Sequence, residues 1–252
     1  MPSQELIILR VEIRYCLLFK EKSLLIGLQN LGCRAQSARS LKAWATTLTN
    51  EGTVLRAEDV AIWRGDRCLF ESLNFELKQG QLALLVGPNG AGKTSLLRVL
   101  AGLASPTAGR VLWQGTPVDA MPPELRGAIA YRGHLDGLKK DLTVAENLHF
   151  YAAIWGGSAD LSLLPELKLE AHAHTRARYL SAGQRRRAAL VSLRVVASRL
   201  WILDEPMTNL DAEGRATVVR WTAQHLASGG CAIVATHQAQ EFERPGALVI
   251  EL

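Results

Sequence analysis

The chain has 252 residues, 48% hydrophobic and 21% charged, with 29 Lys/Arg against 24 Asp/Glu and a net charge of +5. That length suits one large domain or two small ones, and the balance is that of an α/β protein with a sizeable core rather than a disordered or fibrous chain. Its four cysteines (Cys16, Cys33, Cys68, Cys231) show no Cys-x-x-Cys spacing, which argues against a zinc site or a disulfide framework and fits a reducing compartment.

In chain order, residues 1–52 differ from the rest of the chain: short hydrophobic runs, an irregular pattern and a polar TTLTNEGT exit. They carry seven Lys/Arg and four Asp/Glu, so +3 of the charge excess sits there and +2 on the remainder. The main body is therefore not a strongly basic nucleic-acid binder, and no nucleic-acid partner is expected. The apolar stretch YCLLFKEKSLLIGL is interrupted by Lys20, Glu21 and Lys22, too short to span a bilayer and without a signal-peptide cleavage site. The segment is expected to be an extension of unknown role, disordered or a misassigned start, with the domain proper covering 53–252.

From Val54 the pattern sharpens. VLRAEDVAIW, CLFESLNFEL and QLALLV read as strands, and TSLLRVLAGL as an amphipathic helix. GRVLWQG and GAIAYRG are short strands bounded by glycine. DLTVAENLHFYAAIWGG is a helix with Thr143 as N-cap and Glu146 three residues later, and 158–178 mixes helix and loop. A strand RLWILDEP, a helix TVVRWTAQHLAS and the strands GCAIVATH and ALVIEL complete the chain. The alternation predicts an α/β fold: a mixed sheet core, largely parallel, with an antiparallel β piece at its start and a small helical subdomain at about 135–190.

The stretch GPNGAGKT, residues 87–94, matches the P-loop pattern in full, between an apolar strand and a helix. In Gly87, Pro88, Asn89, Gly90, Ala91 and Gly92 the glycines let backbone amides close around phosphate oxygens where a Cβ would obstruct them. Lys93 brings a point charge to the β- and γ-phosphates and Thr94 a hydroxyl to Mg2+, so ATP with Mg2+ is the expected ligand pair. In LWILDEP four apolar residues bury a strand and deliver Asp204 and Glu205 to its carboxyl end, Asp204 suited to hold the metal and Glu205 to take a proton from attacking water. His237 closes another buried strand and can donate to the γ-phosphate and orient the water. In YLSAGQRRR, residues 179–187, Ser181 and Gln184 have the spacing of a capping box, yet a helix start with a hydroxyl and Gly183 is also an anion site. Arg185, Arg186 and Arg187 read either as a source of long-range attraction or as a solvated basic face.

These pieces in this order, over about residues 54–252, resemble the ATP-binding subunits of ABC transporters, a P-loop NTPase fold. YLSAGQ is similar to that family's signature, with Ala182 in place of its first glycine, and TNLD ending at Asp211 resembles its D-loop. The resemblance implies a head-to-tail dimer in which Ser181, Gly183 and Gln184 of one copy face the γ-phosphate held by the P-loop of a second copy. It implies Trp63 as the aromatic on the adenine. It also sets His134 where the family's Q-loop normally has a metal-binding glutamine. LSAGQRRRAAL, LWILDEP, THQ and GHLDGLKKDLTVAENLHFY further resemble the haem-export ATPases of cytochrome c maturation. That implies a peripheral ATPase docked on an integral-membrane permease subunit at the cytoplasmic face of a bacterial inner membrane. His172, His174, Cys16 and Cys33 read as ordinary polar or thiol positions rather than haem ligands.

Overall fold

The computed structural model describes residues 52–155 and 157–252; the expectations for the segment up to residue 51, with Cys16, Cys33 and the YCLLFKEKSLLIGL stretch, lie outside the described residues. The described residues open with a hairpin of two twelve-residue strands, β1 (Thr53–Arg64) and β2 (Arg67–Lys78). β4 (Ala108–Trp113) pairs antiparallel with the other edge of β1, and the short β5 (Thr116–Pro117) follows it, giving the order β2-β1-β4-β5. The other strands, β3 (Leu82–Val86), β6 (Ile129–Arg132), β7 (Leu200–Asp204), β8 (Cys231–Ala235) and β9 (Leu248–Glu251), form a wholly parallel sheet in the order β6-β7-β8-β3-β9. Antiparallel and parallel pairing are both present, as expected, but segregated into two sheets.

The parallel sheet is where the core is densest. Every residue of β7 and β8 is buried, as are the first four of β3. Strands covered on both faces read as unbroken apolar runs, which is why these three were legible as LALLV, LWILD and CAIVA. Each fully buried Leu, Ile or Val contributes on the order of 1.5–3 kcal/mol of burial free energy. Helix α1 (Lys93–Leu100) buries Leu96, Leu97, Val99 and Leu100, and a four-residue turn of helix, α2 (Pro123–Arg126), precedes β6.

Helix α3 (Val144–Trp155) begins at the predicted cap: the Thr143 amide donates to Glu146 Oε2 (2.8 Å) and the Glu146 amide to Thr143 Oγ1 (3.2 Å). Residues 161–179 form four short 3-10 turns whose Leu164, Leu167, Leu169 and Ala177 join the same core cluster as the sheet. Helices α4 (Ala182–Val195) and α5 (Ala212–Ala227) flank β7 in sequence. Trp221 of α5 is fully buried and its indole donates to Glu166 Oε2 at 2.8 Å.

Candidate functional site

A parallel sheet brings all its carboxyl ends to one edge, and in this strand order β8 lies between β3 and β7. Val86, Asp204 and Ala235 therefore finish side by side, and the loop after each strand contributes to one site.

The loop after β3 turns at positive φ at Gly87 (146°), Gly90 (81°) and Gly92 (106°). At Gly87 a Cβ would lie 2.6 Å from the Leu252 carbonyl oxygen, so only glycine fits. Gly92 is the N-cap of α1 and makes no side-chain cap hydrogen bond to the first-turn amides, an arrangement suited to an anion. Lys93 is buried and folds back across its own loop, donating to Gly87 O (2.7 Å) and Pro88 O (3.0 Å). Its ammonium is thus held within the curve of the loop. Next to it, Thr94 Oγ1 donates to Asp204 Oδ2 at 2.8 Å, joining the start of α1 to the end of β7. Asp204 is 3% exposed. Burial and the Asp204 charge push the Tyr131 hydroxyl up to about 12.

Glu205, the next residue, has φ of 48°, a left-handed backbone that costs a non-glycine residue roughly 1–2 kcal/mol. The turn is held because the Glu205 amide donates to Ala235 O (2.8 Å) and the buried Arg186 donates to Asp204 O (2.9 Å) and Glu205 O (2.7 Å). It delivers the carboxylate to His237: the His237 amide is 3.4 Å from Oε2, and its Nε2 is 3.3 Å from Oε1. Glu205 Oε1 is buried and has no hydrogen-bond partner. A carboxylate oxygen left unsatisfied at a site edge is suited to accept from a water.

For a metal, the donor set here is the Asp204 carboxylate and the Thr94 hydroxyl, two hard oxygens already drawn together. That fits Mg2+, which takes one or two carboxylates and completes its shell with water and substrate phosphates. Among the described residues no group of three or more His, Cys, Asp or Glu could hold a metal ion. His134 is exposed and, among the described residues, makes no hydrogen bond or ion pair; it follows Gly133, whose carbonyl accepts from Arg186 (2.8 Å).

Trp63 is 43% exposed near the end of β1, paired across the hairpin with Cys68. The next residues of that hairpin, Leu69 and Phe70, stand against Gly92. The hairpin end that carries Trp63 therefore abuts the phosphate loop, and the ring keeps an open surface for stacking.

The start of α4 is built separately. Ser181 Oγ accepts from the Gln184 amide (3.2 Å) and the Ser181 amide donates to Gln184 Oε1 (2.8 Å), the predicted capping box. The Gln184 side-chain nitrogen also meets His172 Nε2 at 2.7 Å, which gives that histidine a structural role. Gly183 faces the Asn209 carbonyl so closely that a Cβ would be 2.9 Å from it. Asp211 caps α5 through the Gly214 amide (2.9 Å) and receives Arg187 (2.9 Å). The Gly214 amide, with Arg187, lowers the Asp211 carboxyl below its usual range. Among the described residues no hydrogen bond or ion pair joins residues 181–184 to residues 87–94 of the same chain.

The three arginines after Gln184 are neither a free basic face nor a diffuse charge. Arg185 binds Asp136 (3.1 Å) and Leu180 O (2.6 Å), Arg187 binds Asp211, and Arg186 is 6% exposed beneath the acidic turn. Sequence reasoning missed Arg186, although its helical spacing to the buried Leu190 and Leu193 was a signal.

The family of ABC transporters matches this chain over residues 70–208. The chain is 43% identical over 202 residues to a cytochrome c biogenesis ATP-binding export protein, CcmA, of Nitrosospira multiformis, covering 79% of this chain and 97% of that protein. It is 44% identical over 191 residues to the protein of the same name from Cupriavidus pinatubonensis, covering 74% and 84%. Among solved structures it is similar to an ATP-binding subunit of an ABC transporter at 25% identity and a TM-score of 0.74, over 79% of this chain and 86% of that one. With the phosphate loop, the paired acids and the LSAGQ helix all inside or adjoining the matched span, the chain belongs to the ABC transporter family as one of its ATP-binding subunits.

Proposed function

We propose that the chain hydrolyses ATP, with Mg2+, in a head-to-tail dimer of two copies, and that this drives haem export or handling in c-type cytochrome biogenesis. The protein would act as a peripheral subunit on an integral-membrane permease at the cytoplasmic face of the inner membrane. Residues 53–252 would be the ATP-binding domain, with 135–190 its helical subdomain and 1–52 an extension outside it. The observation that carries the ATPase reading is the convergence of Lys93, Thr94, Asp204, Glu205 and His237 on one sheet edge. The relatives' shared role in cytochrome c biogenesis supports the cellular reading. Among the described residues no helix is long and apolar enough to cross a membrane, which agrees with a partner holding the chain there.

In the reaction, the loop amides of 87–94 take the phosphate oxygens, and Lys93 exchanges the Gly87 and Pro88 carbonyls for the β- and γ-phosphates. Trp63 stacks on the adenine. Thr94 and Asp204 would hold Mg2+, with His134 at the Q-loop position as a further candidate. Bound there, the ion would supply charge neutralisation for the phosphates. Glu205 accepts a proton from water as the water oxygen bonds the γ-phosphorus and the bond to the β-phosphate oxygen breaks, leaving ADP and phosphate. His237, alongside that carboxylate, aligns the water and donates to the γ-phosphate. The Ser181 hydroxyl, the Gly183 amide and Gln184 of the second copy close the site over the γ-phosphate, where the positive end of α4 favours an anion. Asp211 anchors the loop between that helix and the site.

Deleting the gene and staining cell extracts for covalent haem tests the cellular role. Loss of c-type cytochromes, restored by the intact gene and not by Glu205→Gln, is expected. Unchanged cytochromes with ATPase activity intact would reject the haem reading and point to export of another small molecule.

A further inference from the structure

Arg186 is a charged group buried where no carboxylate receives it. Its hydrogen bonds go to four main-chain carbonyls: Gly133 O from Nη1 (2.8 Å), Asp204 O and Glu205 O from Nη2 (2.9 and 2.7 Å), and Pro206 O from Nε (3.4 Å). Burial lowers its pKa, against the opposing pull of the Asp204 and Asp136 charges. Burying a guanidinium against neutral acceptors is costly, and a hydrophobic side chain would fill the space more cheaply. What the guanidinium does that an apolar residue cannot is fix peptide planes. Its planar fork reaches carbonyls on two sides at once, one set on the turn after β7 and the other at the loop after β6.

The turn it holds contains a strained residue. Glu205 is left-handed, and its peptide planes are fixed by Ala235 on the amide side and by Arg186 on the carbonyls of 204 and 205. Released from those bonds, the residue relaxes toward ordinary backbone, and its carboxylate swings off the line that now carries it to His237. Helix α4 cannot follow, because Arg132 pins it to β6 through Ala189 O (3.2 Å) and Ser192 Oγ (3.0 Å). We propose that Arg186 is a positioning residue for hydrolysis: by gripping the carbonyls of Asp204 and Glu205, with Gly133 bracing its other side, it holds the Glu205 carboxylate at the reacting water. The inference rests on the ATPase reading of this site and adds to it a residue that touches neither nucleotide nor water.

The test uses the purified full-length chain with Arg186→Lys and Arg186→Gln, alone and combined with Glu205→Gln. Phosphate release gives kcat and KM, binding of a fluorescent ATP analogue gives affinity, and thermal melts set an assay temperature at which each variant is folded. The expected result is a split: kcat falls about 10- to 100-fold while ATP affinity stays within about threefold, and lysine does not rescue because a point charge cannot span both sets of carbonyls. On the Glu205→Gln background the same substitutions change the residual rate less than about twofold, since residues acting as a unit do not add. Wild-type kcat in Arg186→Lys, or an equal fractional loss on both backgrounds, overturns the inference. So does a variant that folds at no temperature, which would make the residue's role purely structural. A wild-type chain that hydrolyses no ATP overturns the site reading itself, whereas hydrolysis that needs Glu205 but ignores Arg186 overturns this inference alone.

Discussion

His237 meets Glu205 through both its main chain and its ring, the amide 3.4 Å from Oε2 and Nε2 3.3 Å from Oε1. The amide contact orients the carboxylate through Oε2, while Oε1, though close to the ring, makes no hydrogen bond. An unpartnered carboxylate oxygen there is suited to accept a hydrogen bond from water.

Replacing that carboxylate by its amide keeps shape and removes basicity. Glu205→Gln should lower kcat about 10²- to 10⁴-fold, the usual range for a positioned general base, with ATP affinity retained. The trapped ATP-bound form should elute from a sizing column as a dimer. His237→Ala, which leaves the base in place, should cost less. Normal phosphate release from the Gln variant would refute the base assignment.

Lys93 is proposed to act earlier, on binding. Its ammonium is already buried among the Gly87 and Pro88 carbonyls, so little rearrangement is needed to meet phosphate. A charged hydrogen bond is worth about 1.5–3 kcal/mol, so Lys93→Ala should weaken ATP binding roughly 10- to 150-fold. Titration with a fluorescent ATP analogue reads this directly; unchanged affinity would remove Lys93 from the binding site.

Gly183 has a reason to be glycine within its own chain, apart from any phosphate. Gly183→Ala sets a Cβ 2.9 Å from the Asn209 main-chain oxygen, which cannot swing away as a side chain would. Thermal unfolding should show a loss of about 1–3 kcal/mol, the cost of overpacking, together with reduced hydrolysis as the Asn209–Asp211 loop is displaced. Ala182 is exposed at the first position of the same helix, so Ala182→Gly should cost no more than about 1 kcal/mol, glycine being the poorer helix former. A Gly183→Ala chain as stable as wild type would mean that the loop yields freely.

Much of this arrangement was legible because it is local. LALLV, LWILD and CAIVA announce buried parallel strands by composition, GPNGAGKT by spacing, and Thr143 with Glu146, like Ser181 with Gln184, by capping chemistry. The illegible part is long-range. Nothing in the order of the strands along the chain says that β8 inserts between β3 and β7, yet that insertion sets His237 against Glu205. The antiparallel piece at the start of the domain was legible, but not that β1 would pair with β4 on its other edge and form a sheet separate from the parallel one. Arg186 was hidden by its neighbours: in a run of three arginines the charge pattern suggests a surface, and only the helical phase shared with Leu190 and Leu193 separates it from Arg185 and Arg187.

Away from the site, Glu166 links the 3-10 turns to α5 by accepting from the Trp221 indole (2.8 Å) and from Arg220 (2.9 Å). The indole hydrogen bond, ahead of the Arg220 contribution, lowers the Glu166 carboxyl below its ordinary range. A carboxylate depressed on folding stabilises the protein fully above its unfolded pKa, about 4.3, and the contribution is lost as pH falls through the lower folded value. Glu166→Gln keeps an acceptor for the indole and removes the charge. Wild type should therefore melt higher than the variant by a constant margin from pH 7 to 5, and the margin should shrink steadily below about pH 4.3. Melting curves for both proteins across pH 7 to 3.5 measure it. A margin that does not change with pH would show that the Glu166 charge contributes nothing to this junction.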